Sequence, residues 1–402
     1  MSTQVQSDPS GSLVERISLI PTATGSLDGL TFTVKDNIDI ANHKTSYGNP
    51  AWRDFHSAPR QNALCVDQLL AAGGHCNGKV VADEFTYSLE GESEHFGTPV
   101  NIKAPGRIPG GSSSGSAASV ANGVADFSIG TDSAGSIRVP ASFCGVWGMR
   151  PSLHRISEAG VLPFMPSVST VGVLSARLDQ LDKVMRVLLR SRKHPTEPLR
   201  RIFVLSDVIE NCDVTVRTEV IALLEKIHQR TGIEPEIISF ATIVGRDISL
   251  SDCNEGALRS LQTLEFQSTV GNWIEHNTPE TGHAFSMAYE NIRCLDRLEA
   301  LSNLDRCERF FEEIQTFITP GTVICFPTTP AIAPLKGSLN TEESVINFYD
   351  KTMAITAFSG VGRLPEISAP LLIVDECPVG FSIAAGTLQD EFLLSAVGEM
   401  AG

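Results

Sequence analysis

With 402 residues, 42% of them hydrophobic and 19% charged, the chain is neither a disordered tail protein nor a long coiled coil. Its 31 basic and 47 acidic residues leave a net charge of −16, a field that repels phosphate and anionic lipid and argues against nucleic-acid or membrane-surface partners. No run reaches the ~18 apolar residues of a membrane span, and Met1–Pro9 carries no basic-then-apolar leader, so a cytoplasmic protein is expected.

Residues 1–12, rich in Ser, Gln, Asp and Gly, are predicted to be a disordered tail. Leu27–Ile40 reads as strand, with Leu30, Phe32 and Val34 alternating with Thr31, Thr33 and Lys35. Val66–Ala72 has helical spacing and stops at Gly73-Gly74. A Gly/Ser-rich turn leads into an Ala-rich helix over Ser116–Val124, then a short buried strand at Asp126–Ile129, then a second Gly/Ser turn entering Ile137–Cys144. Leu178–Leu189 is an amphipathic helix, and the basic, Pro-containing stretch Arg190–Arg201 is the best linker candidate. Ile202–Val208 reads as strand, Glu219–Arg230 as helix, and residues 253–316 as mostly helical. Val323–Phe326, Leu371–Val374 and Val379–Ala384 follow as strands, with a closing helix at Glu391–Met400. This alternation predicts an α/β fold built on a single large sheet covered by helices on both faces.

Nine cysteines at unpaired spacings give no disulfide framework or zinc motif, and most are expected to be small core residues. The nine histidines contain no H-E-x-x-H pair, so no metal site is predicted.

Two Gly/Ser turns can carry chemistry, residues 110–116 (GGSSSGS) and 130–136 (GTDSAGS). A flexible linker is the plainest reading, but it sits poorly between apolar elements a dozen residues apart. A phosphate loop needs G-x-x-x-x-G-K-[ST], which is absent. Gly111-Ser112-Ser113-Ser114-Gly115 formally fits a G-x-S-x-G elbow, yet the preceding Lys103–Pro109 cannot be a central strand. The last histidine, His283, also lies 119 residues from the end. A serine lacking histidine can use a buried neutral lysine as base, and Lys35 is a candidate. On its residues alone, Lys35 reads better as a solvated lysine paired with Asp36 or Asp39.

The block from Pro109 to Pro151, with Ser136-Ile137-Arg138-Val139-Pro140-Ala141 inside it, strongly resembles the amidase signature family. Thr33-Val34-Lys35-Asp36-Asn37, Phe96-Gly97-Thr98-Pro99 and Cys377-Pro378-Val379-Gly380-Phe381 match as well. The likeness covers residues 27–175 and about 320–400 of one domain spanning 13–402, while the mostly helical segment 190–318 is not diagnostic. The resemblance implies a serine hydrolase with Ser136 as nucleophile, Ser112 as a bridging serine on a cis peptide, and Lys35 as base. It further implies an oxyanion site from the backbone N–H groups of Ser133, Ala134, Gly135 and Ser136. Asp132, Arg138 and Ser113 are expected to support the turns. Ala134 stands where many members carry Gly, a difference read as tuning.

The implied activity is hydrolysis of a small carboxamide to acid and ammonia, with no cofactor and no metal. Gly48-Asn49-Pro50-Ala51-Trp52 and Val139-Pro140-Ala141-Ser142 look like the short indole-3-acetamide hydrolase type. Two alternatives stay open: a glutamine-hydrolysing amidotransferase subunit, and an inactive amidase-fold binding module. The latter is expected to have lost the lysine or a serine, and all three are present here. Trp147, Trp273, Phe285 and Tyr289 could line an aromatic acyl pocket, with plain packing the simpler reading of each. Substrate identity is open, as is a homodimeric assembly.

Overall fold

A computed structural model describes residues 8–191, 197–294 and 296–402. Among these, eleven strands form one mixed sheet: Leu13–Leu19 (β1), Thr31–Lys35 (β2), His75–Val80 (β3), Phe127–Asp132 (β4), Trp147–Arg150 (β5), Thr170–Ser175 (β6), Arg201–Leu205 (β7), Glu236–Ile238 (β8), Thr322–Pro327 (β9), Glu366–Val374 (β10) and Cys377–Ala384 (β11). Their order across the sheet is β1-β3-β2-β4-β6-β5-β10-β11-β9-β7-β8. The pairs β3/β2, β2/β4, β9/β7 and β7/β8 are parallel and the others antiparallel. Every residue of β4, β6, β9 and β11 is buried, so helices cover both faces of the sheet centre, as the alternation predicted.

Burial on both faces changes the meaning of the alternation in β2. The strand is shorter than expected because the chain turns after Lys35, whose carbonyl accepts the Ile38 N–H at 3.0 Å. Phe32 and Val34 enter the core on one side. Thr33 and Lys35 enter a polar interior on the other, where Thr33 Oγ1 lies 2.9 Å from both Ser119 Oγ and Ser128 Oγ. The Ala- and Ser-rich helix Ser114–Ala121 packs there because its small side chains let its backbone come close to the sheet.

Other expectations need correction. Residues 8–12 are not a disordered tail: Ser10 and Ser12 are fully buried, and their carbonyls accept N–H groups from Val100 and Val81. Residues 1–7 lie outside the described residues, as do residues 192–196 of the expected linker. The strand expected over Ile202–Val208 ends at Leu205, where the helix Ser206–Asn211 begins. The helices expected at 66–72, 116–124, 178–189, 219–230 and 391–400 are present with modest shifts of their ends. Eight of the nine cysteines are buried and none is bridged; Cys294 is exposed.

Candidate active site

The site forms where two neighbouring strands end. Val34 of β2 is in register with Ile129 of β4, which brings Lys35 beside the stretch running through Thr131 into the second Gly/Ser turn. Lys35 is fully buried. Its Nζ lies 2.8 Å from Ser112 Oγ and donates to Thr131 Oγ1 at 3.0 Å. Thr131 Oγ1 also accepts from Asn37 Nδ2 at 3.2 Å, so it receives two N–H donors and holds the lysine amine toward Ser112. Burial pulls the lysine down from 10.5 to about 7, against the opposing influence of Asp83 and Asp132. The solvated, Asp36-paired reading of Lys35 is therefore wrong. Asp36 instead pairs with the buried Lys79 at 2.7 Å.

Ser112 follows Gly111 through a cis peptide bond. Its turn is bound to the second turn by the Ser113 N–H, which donates to the Ser136 carbonyl at 3.2 Å, and by the Ser113 hydroxyl, which donates to the Thr131 carbonyl. Ser136 is buried with a small exposed fraction, as are Thr131, Ser133 and Ala134 of the same turn, and it lies just ahead of the helix Arg138–Cys144. Of the four expected oxyanion donors, Gly135 is a correction. Its N–H is engaged by Asp132 Oδ1 at 3.1 Å, which leaves those of Ser133, Ala134 and Ser136.

Asp132 organises this turn. Its carboxylate also accepts the N–H groups of Ile137 and Arg138 and the guanidinium of Arg138, at 2.8 and 3.0 Å. Arg150 adds a contact at 3.1 Å, and Arg138 reaches on to Glu366 at 2.9 Å. Two arginines and two carboxylates thus form a fully buried, charge-balanced cluster. Burial alone would raise Asp132, but Arg138, Arg150 and the Ile137 N–H hold it well below the usual carboxylate range. Asp132 and Arg138 were expected as a pair. Arg150 and Glu366 escaped the sequence reading because no local spacing links them to the turn.

Two further groups were missed. Asp83 is buried under the first turn, with its N–H donating to the Ser112 carbonyl at 3.1 Å. Thr356, in the helix Glu342–Val361, donates to the Ala134 carbonyl at 2.6 Å. Of the four aromatic candidates, Trp273, Phe285 and Tyr289 fall within one cluster. Phe285 stacks on Tyr289 at 5.7 Å and meets Tyr87 at 5.6 Å, while Trp273 lies 4.8 Å from Trp52. Trp147 instead lies on β5, in register with Ser175, and makes no ring contact among the described residues. Among the described residues no three His, Cys, Asp or Glu side chains group to hold a metal, and no helix is long and apolar enough to cross a membrane.

The amidase family profile matches residues 15–394. This chain belongs to the amidase family. It is 34% identical to Amidase 1 of Arabidopsis thaliana, over 97% of this chain and 98% of that one. It is 28% identical to a pea protein, translocon at the outer membrane of chloroplasts 64, covering 99% of this chain and 71% of the relative. A solved amidase structure superposes with a TM-score of 0.82 at 25% identity, covering 94% and 85% of the two chains. The amidase fold is thus shared almost end to end, including the helical segment that carries no legible motif.

Proposed function

We propose that this amidase hydrolyses a small linear carboxamide to a carboxylic acid and ammonia through a serine acyl-enzyme. Ser136 Oγ attacks the carbonyl carbon, its proton passing to Ser112 and the Ser112 proton to neutral Lys35. The tetrahedral oxyanion is met by the N–H groups of Ser133, Ala134 and Ser136. Collapse breaks the C–N bond, the relay returns a proton to the departing nitrogen, and water then releases the acid by the same steps. The observation that carries this reading is the buried Lys35 amine 2.8 Å from the Ser112 hydroxyl, since a lysine must be neutral to act as base.

Ammonia release is measured across aryl, indolyl and aliphatic amides and glutamine, with Ser136→Ala as control. The reading expects turnover of at least one simple amide, its loss in Ser136→Ala, and a fluorophosphonate adduct on the Ser136 peptide by mass spectrometry. An adduct on Ser113 overturns it, and release from glutamine alone points to an amidotransferase subunit.

A further inference from the structure

We infer that Asp83 is a positioning residue for the proposed hydrolysis, anchoring the Ser112 turn and setting the basicity of Lys35 by its charge. The inference rests on the proposed roles of Lys35 and Ser112. Asp83 is gripped on every side by the first Gly/Ser turn and its neighbours. Its Oδ1 accepts the Ser114 hydroxyl at 2.9 Å, and its Oδ2 accepts the Gly91 N–H at 3.0 Å and the Ser88 hydroxyl. The carboxylate also lies against Gly111: a Cβ added there would fall 1.8 Å from Asp83 Oδ2, so only glycine fits. With the Asp83 N–H on the Ser112 carbonyl, one residue holds Gly111, Ser112 and Ser114 together.

The charges around Lys35 leave Asp83 a distinct part. Asp132, the second carboxylate acting on Lys35, is balanced in place by Arg138 and Arg150, and Glu366 by Arg138. Asp36, adjacent in sequence, is paired with Lys79. Glu90, which lies near Asp83, is pushed up to about 7 by burial and so is largely uncharged below that pH. Among the described residues the Asp83 carboxylate makes no ion pair; burial pushes it above the usual carboxylate range, while the Ser88 and Ser114 hydroxyls, Lys35 and the Gly91 N–H favour its charged form. Its influence therefore falls on Lys35, the cation it stabilises.

The readout is the pH dependence of Ser136 labelling by a fluorophosphonate, in wild type, Asp83→Asn and Ser114→Ala. Removing the Asp83 charge makes Lys35 easier to deprotonate, so the acid limb of Asp83→Asn moves to lower pH by about one unit, whatever the change in its alkaline plateau. Ser114→Ala, which only weakens the charged form of Asp83, moves it the same way by less and stands as the deciding variant if Asp83→Asn fails to fold. A limb that stays in place or moves to higher pH overturns the inference. If the wild type shows no Ser136 adduct, or no acid limb at all, the catalytic reading itself has failed.

Discussion

Thr356 Oγ1 donates a 2.6 Å hydrogen bond to the carbonyl of Ala134, tying the second Gly/Ser turn to a helix 222 residues further along the chain. The same helix supplies the Thr356 carbonyl to Arg138 at 2.9 Å, so the turn and its arginine share one support. Ala134 and its neighbours form no regular element of their own, and their amides keep one direction only if something outside holds them.

Replacing Thr356 with Val keeps the volume and removes the donor. The Ala134 carbonyl is left unpaired in a buried site, a loss of about 1–3 kcal/mol in unfolding free energy. A loosened turn is expected to lower kcat about tenfold or more with a smaller effect on KM, because the proposed oxyanion interaction is strongest in the transition state. Denaturant titration and steady-state ammonia release check the two effects. Unchanged kcat would show that the turn holds its shape without the helix.

Asp132→Asn removes one of four buried charges and leaves two arginines facing one carboxylate. Such a break costs about 3–5 kcal/mol, more than most surface substitutions by an order of magnitude. The sign with pH follows from a folded ionisation held below the unfolded one. Asp132 contributes its full stabilisation above the unfolded carboxylate value of ~3.9 and loses it only as pH falls further. Urea midpoints at pH 7 and pH 3 are therefore expected to differ less in the variant than in the wild type. A variant as stable as the wild type at pH 7 would mean the cluster is not held by its charges.

Ser112 and Ser136 stand out because the signature block carries them, and Lys35 because it falls in the separate upstream match Thr33–Asn37. Lys35 shows where pattern alone misleads. Period-two alternation says that Thr33 and Lys35 share a face, but water on that face is an assumption, and β2 is a central strand covered on both sides. β3 escaped notice for a related reason: His75, Asn77 and Lys79 break its apolar run, and Gly78 sits at φ +151 beside a register shift in both of its pairings. Arg150, Glu366, Thr356 and Asp83 could not be found from spacing. Each touches the turns through contacts between distant parts of the chain, with no periodic or local motif to announce it.

Lys35 is fully buried and makes no ion pair among the described residues, and burial draws it from 10.5 to about 7 although Asp83 and Asp132 act the other way. Activity is expected to rise with pH through an apparent ionisation near 7 and to stay high on the alkaline side, as only the neutral amine accepts the relayed proton. Lys35→Arg is expected to be nearly inactive, because guanidinium stays protonated. Stability carries the same signature. Between about 7 and ~10.4 the unfolded chain holds a proton that the folded protein has released, so stability rises with pH across that window. Lys35→Met escapes this cost. At pH 7 it is expected to be inactive yet more stable than the wild type by about 2 kcal/mol, the relief of burial outweighing the two hydroxyls left without their partner. Denaturant midpoints at pH 7 and pH 10 check this, with the difference narrowing or reversing at the higher pH. A wild-type rate in Lys35→Arg, or a gap that does not change with pH, would show that Lys35 is no neutral base.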